Sequence, residues 1–349
     1  MRQFPRSSVL TNPHCEIEIV VIGSKRTLVF ALLLQFAASF SAYAQSCSVT
    51  SASGNYGSVD ILAGGAVDTT STFTVTCSGC ALGCTVNACV QFDQGAPNSN
   101  SSVRSLGSGA NTAIHELYSD SGRTQVWGSW GYGTTAYGSG GVSINLSLPL
   151  LGGSTQQSLT VYGRFLANQQ ATIPGTYVWS TASPVVAYAA YLLTSPNCSS
   201  NPGTTTNAGS SPWTATIAGN CIVSTTPLNF GSASLLTANI DGVGTISVKC
   251  TNTTPYSIGL DNGLHASGSQ RRMQASSSFI NYNLYTDAAR TGAWTSTTSA
   301  TTCTSGANTC VLGTGTALNQ NISVYGRVPP QTSPPPGAYA DTIVVTVTF

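Results

Sequence analysis

The residues of this 349-residue chain that could ligate a metal, carry a nucleophile or move a proton are few: eleven cysteines, three histidines and eleven acids. The densest group is "CSGCALGCTVNAC" at 77–89, which opens on a Cys-x-x-Cys pair. Such a pair is half of a structural zinc site. Neither a neighbouring histidine nor a second Cys-x-x-Cys completes it, so oxidation to disulfides is the better reading and no metal is expected. Outside the N-terminal leader only His115 and His265 remain, at positions that do not correspond between the two halves. A lone histidine beside Glu116 reads as a surface residue rather than a general base. Asp120 and Asp287 do correspond, but equivalent acids in separate units cannot form the paired carboxylates of glycoside hydrolysis. Arg123 and Arg290 follow them three residues on, which suits a turn cap or a local ion pair. Arg164 and Arg327, each after Val-Tyr-Gly, read as structural in the same way. No glycine-rich phosphate loop joins a strand to a helix. These residues point away from an enzyme and away from any cofactor.

The elements that position these residues are strands. Charged residues make up only 7% of the chain, against roughly 25% in ordinary soluble domains. The net charge of +1 offers nothing to nucleic acid. Lys25 and Arg26 precede an apolar run ending in Ala42-Tyr43-Ala44, the pattern of a secretory signal peptide. Cleavage after Ala44 would make Gln45 the first mature residue, with residues 1–24 an upstream extension. Export to an oxidising compartment then leaves ten cysteines once Cys15 is removed from the eleven. Six lie in the first half and four in the second, so each half can close its own bridges.

The halves repeat. "CSVTSASGNYGSVDI" at 47–61 answers "CIVSTTPLNFGSASL" at 221–235, and "ELYSDSGRTQVWG" at 116–128 answers "NLYTDAARTGAWT" at 283–295. "LTVYGRF" (159–165) and "IPGTYV" (173–178) likewise answer "ISVYGRV" (322–328) and "PPGAYA" (335–340). The order is collinear, so this is an internal duplication. Short runs rich in Val, Ile, Thr and Tyr between Gly, Asn, Ser and Pro predict an all-β sandwich for each copy. The expected organisation is a leader over 1–44, a first domain over 45–198, a linker over 199–220 and a second domain over 221–349. The end of that linker, Trp213–Ile217, alternates enough to be a strand of either neighbour. Cys47–Cys77 and Cys221–Cys250, each about 30 residues apart, are the expected bridges between first and later strands. Cys303 and Cys310 would close a loop. Cys80, Cys84, Cys89 and Cys198 would pair among themselves in one of three patterns.

Cys, then Asn-Tyr/Phe-Gly, a strand ending in Cys, Leu-Tyr-x-Asp, Val-Tyr-Gly-Arg, Pro-Gly-x-Tyr-x-Asp (the Asp, Asp341, in the second copy only) and a terminal strand form a series that resembles the spore coat protein U domain. That domain is the pilin domain of archaic, Csu-type chaperone–usher pili. The second copy follows the pattern through "YADTIVVTVTF", whereas the first departs from it at "YVWSTASPVVAYAAYLL". The resemblance implies two tandem immunoglobulin-like sandwiches, the second lacking its final strand. It also implies donor-strand complementation, in which a periplasmic chaperone and then the next pilin subunit lend a strand to that sandwich, with an outer-membrane usher assembling the fibre. Ile343, Val345, Val347 and Phe349 share one face of the terminal strand and would border the open groove. Only Gln45 and Ser46 would precede Cys47 in the mature chain, so no donor segment is expected there. Such a subunit would cap a pilus tip at the cell surface after passage through the periplasm, and would mediate attachment and biofilm formation.

A tip subunit needs a surface that touches an abiotic or host partner. Trp130, Tyr132 and Tyr137, spaced by glycines, have no counterpart in the second copy and suit an exposed loop. Val185, Val186 and Tyr188 form a second candidate, although their stretch, 183–193, reads better as a strand that completes the first domain's sheet. The cysteine-rich stretch with Ala81, Leu82 and Val86 is a third. Two other functional classes are kept. One is a lectin-like tip in which Trp130 and Tyr132 stack on a sugar; the other is a secreted coat protein with no ligand.

Overall fold

The structure, a computed structural model, describes residues 45–80, 83–92, 104–128, 141–180, 182–191, 198, 204–304, 306 and 309–349. The expected leader lies outside the described residues. Twelve strands come first: β1 (Ser46–Val49), β2 (Gly54–Val59), β3 (Val67–Ser78), β4 (Cys84–Phe92), β5 (Arg104–Ser108), β6 (Asn111–Tyr118), β7 (Val142–Leu148), β8 (Ser154–Phe165), β9 (Gly175–Trp179), β10 (Pro184–Tyr191), β11 (Thr204–Asn207) and β12 (Trp213–Ile217). Eight follow: β13 (Cys221–Thr226), β14 (Ile240–Cys250), β15 (Pro255–Leu260), β16 (Arg271–Ala275), β17 (Ser278–Tyr285), β18 (Val311–Thr314), β19 (Gln320–Val328) and β20 (Val345–Thr348).

Strand pairing divides them at residues 218–220. The first sandwich packs a sheet of order β1-β3-β8-β6-β5-β9-β12-β2 on one of order β11-β10-β4-β7. The second packs β13-β14-β19-β17-β16 on β18-β15-β20. Each sandwich has its own buried core. Period-two alternation sets the inward face: Phe73, Val75 and Cys77 of β3 and Ile246, Val248 and Cys250 of β14 are all buried. β4 is buried on both faces. Val86, Ala88, Val90 and Phe92 enter the core, while Asn87 on the other face donates to Ser143 and Asn145 of β7.

The duplication is visible in side-chain detail. Trp127 and Trp294 each donate their indole N–H to a carbonyl of the facing sheet, that of Val90 at 2.9 Å and that of Ile258 at 2.8 Å. Arg104 and Arg271 are both buried and donate to backbone carbonyls, including those of Trp127 and Trp294. Disulfides join Cys47 to Cys77, Cys221 to Cys250 and Cys303 to Cys310. Of the three patterns open to the other four cysteines, the structure has Cys80–Cys84 and Cys89–Cys198.

One expected boundary needs correction. Residues 199–220 are not a plain linker, because 204–207 and 213–217 are strands of the first sandwich. The polar, turn-rich composition of 199–212 hid the first of them, while the alternation of 213–217 had already marked the second as a candidate strand. β11 is a four-residue strand of Thr and Asn on an edge, where burial leaves no apolar pattern in the sequence.

Candidate functional site

The site is defined by what β11 and β12 do in the first sandwich and by what stands in their place in the second. β11 pairs antiparallel with the outer edge of β10, from Tyr188↔Thr204 to Val185↔Asn207. The amide of Ala208 continues to the Pro184 carbonyl, and that of Ser211 to the Ala182 carbonyl. β12 then pairs antiparallel with β9, Trp213↔Trp179 to Ile217↔Gly175, and parallel with β2, Trp213↔Gly54. Residues 204–217 thus run as one bent strand along 175–188 and pass from one sheet to the other. Their alternate side chains Ser211, Trp213, Ala215 and Ile217 are all buried.

In the second sandwich the corresponding walls are present, and among the described residues no strand stands between them. Leu228-Asn-Phe-Gly231 matches Gly54-Asn-Tyr-Gly57. Each is held by the same turn, in which the Asn side-chain oxygen accepts from the glycine amide at 2.7 Å with the glycine at positive φ. Gly337-Ala-Tyr-Ala-Asp341 matches Gly175-Thr-Tyr-Val-Trp179. A cavity of about 400 Å³ lies between these walls, lined by Leu228, Phe230, Tyr339, Asp341, Ile343 and Val345 among others. A second of about 720 Å³ shares Leu228, Phe230, Met273 and Tyr339 and continues past Pro334–Gly337. The burial of matched residues records the missing strand. Tyr56 and Tyr177 are buried, whereas Phe230 and Tyr339 are only partly covered. β20 pairs with β15 alone, so among the described residues its outer edge has no partner strand.

The terminal-strand residues lie largely as the alternation predicts. Ile343, Val345 and Val347 pack against the core while Val344 points outward. Phe349 differs, being 52% exposed beyond the last pairing of β20.

The candidate contact residues are distributed differently from the sequence reading. Trp130, Tyr132, Tyr137 and Leu82 lie outside the described residues. Val86 and Val186 are fully buried and Tyr188 nearly so. They belong to the core because β4 and β10 are the paired central strands of their sheet; an exposed role for them is corrected. Val185, on the opposite face of β10, is half-buried. The sequence reading missed Leu150 and Leu151, which are 64% and 87% exposed. They sit on a 3-10 turn, Leu150–Gly152, whose Gly152 amide donates to the Cys80 carbonyl beside the Cys80–Cys84 bridge. The signal was available in "LPLLGG", an apolar pair on a Pro-Gly turn. This tip lies at the Ser78/Ser154 end of β3 and β8. The other end, near Asp60 and Ala171, meets the second sandwich through Asn220 and Asn252.

The titratable groups serve the fold. Asp120 accepts from the amides of Thr124 and Gln125, and Asp287 from those of Thr291 and Gly292, so both cap turns. Those hydrogen bonds hold both carboxyls below their ordinary range. Arg123 and Arg290 do not pair with them. Each sits at positive φ and reaches the carboxylate bound by the Val-Tyr-Gly-Arg arginine: Asp68 with Arg123 and Arg164, Asp241 with Arg290 and Arg327. His115 is not a surface residue. It is fully buried, bonded through Nδ1 to the Tyr56 hydroxyl at 3.0 Å, and burial followed by the charge of Arg104 lowers its pKa to about 3. Its neighbour Glu116 is engaged by Arg104. A neutral imidazole enclosed by Tyr56, Trp179 and Trp213 supports packing. Among the described residues no three His, Cys, Asp or Glu side chains converge as metal ligands would.

Comparison with known proteins agrees with the duplication. The family model for the Spore Coat Protein U domain matches residues 32–179 and again 204–346. Protein U of Myxococcus xanthus is 35% identical over 136 residues, covering 35% of this chain and 71% of that protein. Among solved structures, the CsuC–CsuE chaperone–tip adhesion subunit pre-assembly complex from the archaic chaperone-usher Csu pili of Acinetobacter baumannii overlaps with a TM-score of 0.48 at 16% identity, over 87% of this chain and 100% of that one. The CupB6 tip adhesin of Pseudomonas aeruginosa overlaps at 0.39 and 9%, over 86% and 94%. With the sequence matched twice over most of its length, the chain belongs to the Spore Coat Protein U domain family and carries two copies of its domain.

Proposed function

We propose that the chain is a pilus subunit of the chaperone–usher type, in which the second sandwich receives a donor strand and the first makes contact at the fibre tip. The observation that carries this reading is the internal comparison. One strand position is filled by residues 204–217 in the first sandwich and is, among the described residues, an apolar groove with an unpaired strand edge in the second. An unpaired edge beside an apolar cleft aggregates unless something covers it. Strand addition satisfies the backbone groups and the cleft together. A periplasmic chaperone would fill the groove first and the next subunit would replace it at an outer-membrane usher, which places the protein in the periplasm and then on the cell surface. The first sandwich, complete in itself, is free to present the Cys80–Cys84 turn with Leu150 and Leu151 to an apolar abiotic or host surface, and so to support attachment and biofilm formation. Co-expression with a periplasmic pilus chaperone tests the reading. A stable one-to-one complex, with the lone chain aggregating, is the expected result. A chain that is soluble and monomeric alone and takes up no strand peptide would overturn it.

A further inference from the structure

The two copies also differ in what their grooves can hold, and the difference centres on one position. Trp213 of β12 lies between Gly54 on β2 and Trp179 on β9, in register with both. Its indole fills the space above Gly163: a Cβ on Gly163 would come within 2.3 Å of the ring, and one on Gly54 likewise. In the second copy Gly54 becomes Leu228, Gly163 becomes Gly326 and Trp179 becomes Asp341. Leu228 and Phe230 already cover Gly326, with Leu228 Cδ1 2.8 Å and Phe230 Cε1 2.9 Å from where its Cβ would stand. The other wall presents the Asp341 carboxylate, which accepts from the Tyr282 hydroxyl at 2.7 Å and from the His265 amide at 3.2 Å.

Resting on the donor-strand reading above, we infer that the groove of the second sandwich selects a strand with a compact, hydrogen-bond-donating side chain opposite Asp341, flanked by apolar residues at alternate positions, and that Leu228 and Asp341 exclude the tryptophan of the protein's own β12. The occupant runs antiparallel to 337–348, as residues 204–217 run along 175–188. It comes from outside residues 45–349. A large ring at the central position would meet Leu228 where β12 meets a bare glycine, and, posed as Trp213 is with its N–H toward no acceptor among the described residues, would desolvate a carboxylate without bonding it. A serine or threonine there fits the remaining width and donates to Asp341. The same pair of residues keeps the β12 strand of one molecule out of the groove of another, which guards against self-association by strand swapping.

The test uses residues 45–349 as their complex with a periplasmic pilus chaperone, into which two labelled peptides exchange: residues 209–219, and the same peptide carrying Trp213→Ser. Anisotropy gives affinity, and slowed amide exchange at 228–231 and 337–341 gives the place of binding. The Ser peptide should bind at least tenfold more tightly, and Leu228→Gly should reduce that preference or reverse it. Asp341→Ala, which removes the acceptor while keeping the leucine, should also reduce it and serves if the glycine variant does not fold. Equal or tighter binding of the Trp peptide to the unmodified chain would overturn the selectivity while leaving the groove reading intact. An unchanged preference in a folded variant would also overturn it. Failure of both peptides to protect either wall would overturn the groove reading and this inference together.

Discussion

Trp213→Ala gives the sharpest test of the way the first sandwich completes itself. The indole is fully buried between β2 and β9, with ring centroids 5.9 Å from Tyr56 and 6.2 Å from His115. Its N–H finds no acceptor among the described residues, so the substitution forfeits packing and no hydrogen bond. Strands on both sides and glycines beneath leave little that can collapse into the space. The cost is therefore expected within the range of about 3–5 kcal/mol for removing a buried large aromatic. Since each ~1.4 kcal/mol is tenfold, the best-protected amides of β2 and β9 should exchange about two to three and a half powers of ten faster. Hydrogen exchange read by mass spectrometry, peptide by peptide, measures this directly. Amides of β14 and β19, in the other sandwich, should be unaffected. Trp294→Ala is the mirror control and should loosen the second sandwich alone. If Trp213→Ala leaves 54–59 and 175–179 protected, or loosens β14 and β19 instead, the assignment of 213–217 to the first sandwich is wrong.

Arg104→Ala strands Glu116 in the core and frees the carbonyls of Phe92 and Trp127, and should cost about 3–5 kcal/mol in urea unfolding of the first sandwich. His115 binds a proton far less readily in the folded protein than in the unfolded chain, its pKa falling from 6.5 to about 3. Between those values the unfolded state holds the extra proton, so stability falls as pH is lowered through this window, by up to ~1.4 kcal/mol per pH unit. The same titration on His115→Gln should lack this component. Replacing Cys89 and Cys198 by alanine opens a bridge spanning 109 residues and should lower stability by about 2–5 kcal/mol, read as a lower urea midpoint. Leu150→Ser with Leu151→Ser changes exposed side chains, so unfolding should shift by less than about 0.5 kcal/mol. Attachment to a hydrophobic surface should nonetheless drop several-fold; unchanged attachment would remove this turn from the contact surface.

Much of the architecture was legible because duplication prints it twice. Cys47…Cys77 and Cys221…Cys250, the Val-Tyr-Gly-Arg pairs and Trp127 with Trp294 stand at matching places in each half. Matching residues at matching spacing carry the same geometry. What stayed hidden shares one cause. Val86 looks like a contact residue when apolarity is read along the chain, but burial is decided by what packs on a strand's two faces. His115 beside Glu116 looks polar and exposed until Tyr56, Trp179 and Trp213 enclose it. Arg123 has Asp120 as its neighbour in sequence, yet its carboxylate partner is Asp68, brought across from β3.

The sequence by itself determined the strand-rich composition, the two copies, their cysteine frame and the one-sided apolar terminal strand. These depend on local periodicity and on residue identity. The family resemblance already implied that the second copy is incomplete; only the tertiary structure decided how the first copy completes itself. Residues 204–217 reach back to pair with β10, β9 and β2, and nothing within those fourteen residues names their partners, because a strand's hydrogen bonds and buried face are satisfied by whatever lies beside it. The same holds for the groove: Phe230, Tyr339 and Asp341 read along the chain as family motif residues, and become a site with Leu228 only when folding stands them on two facing walls with no described strand between.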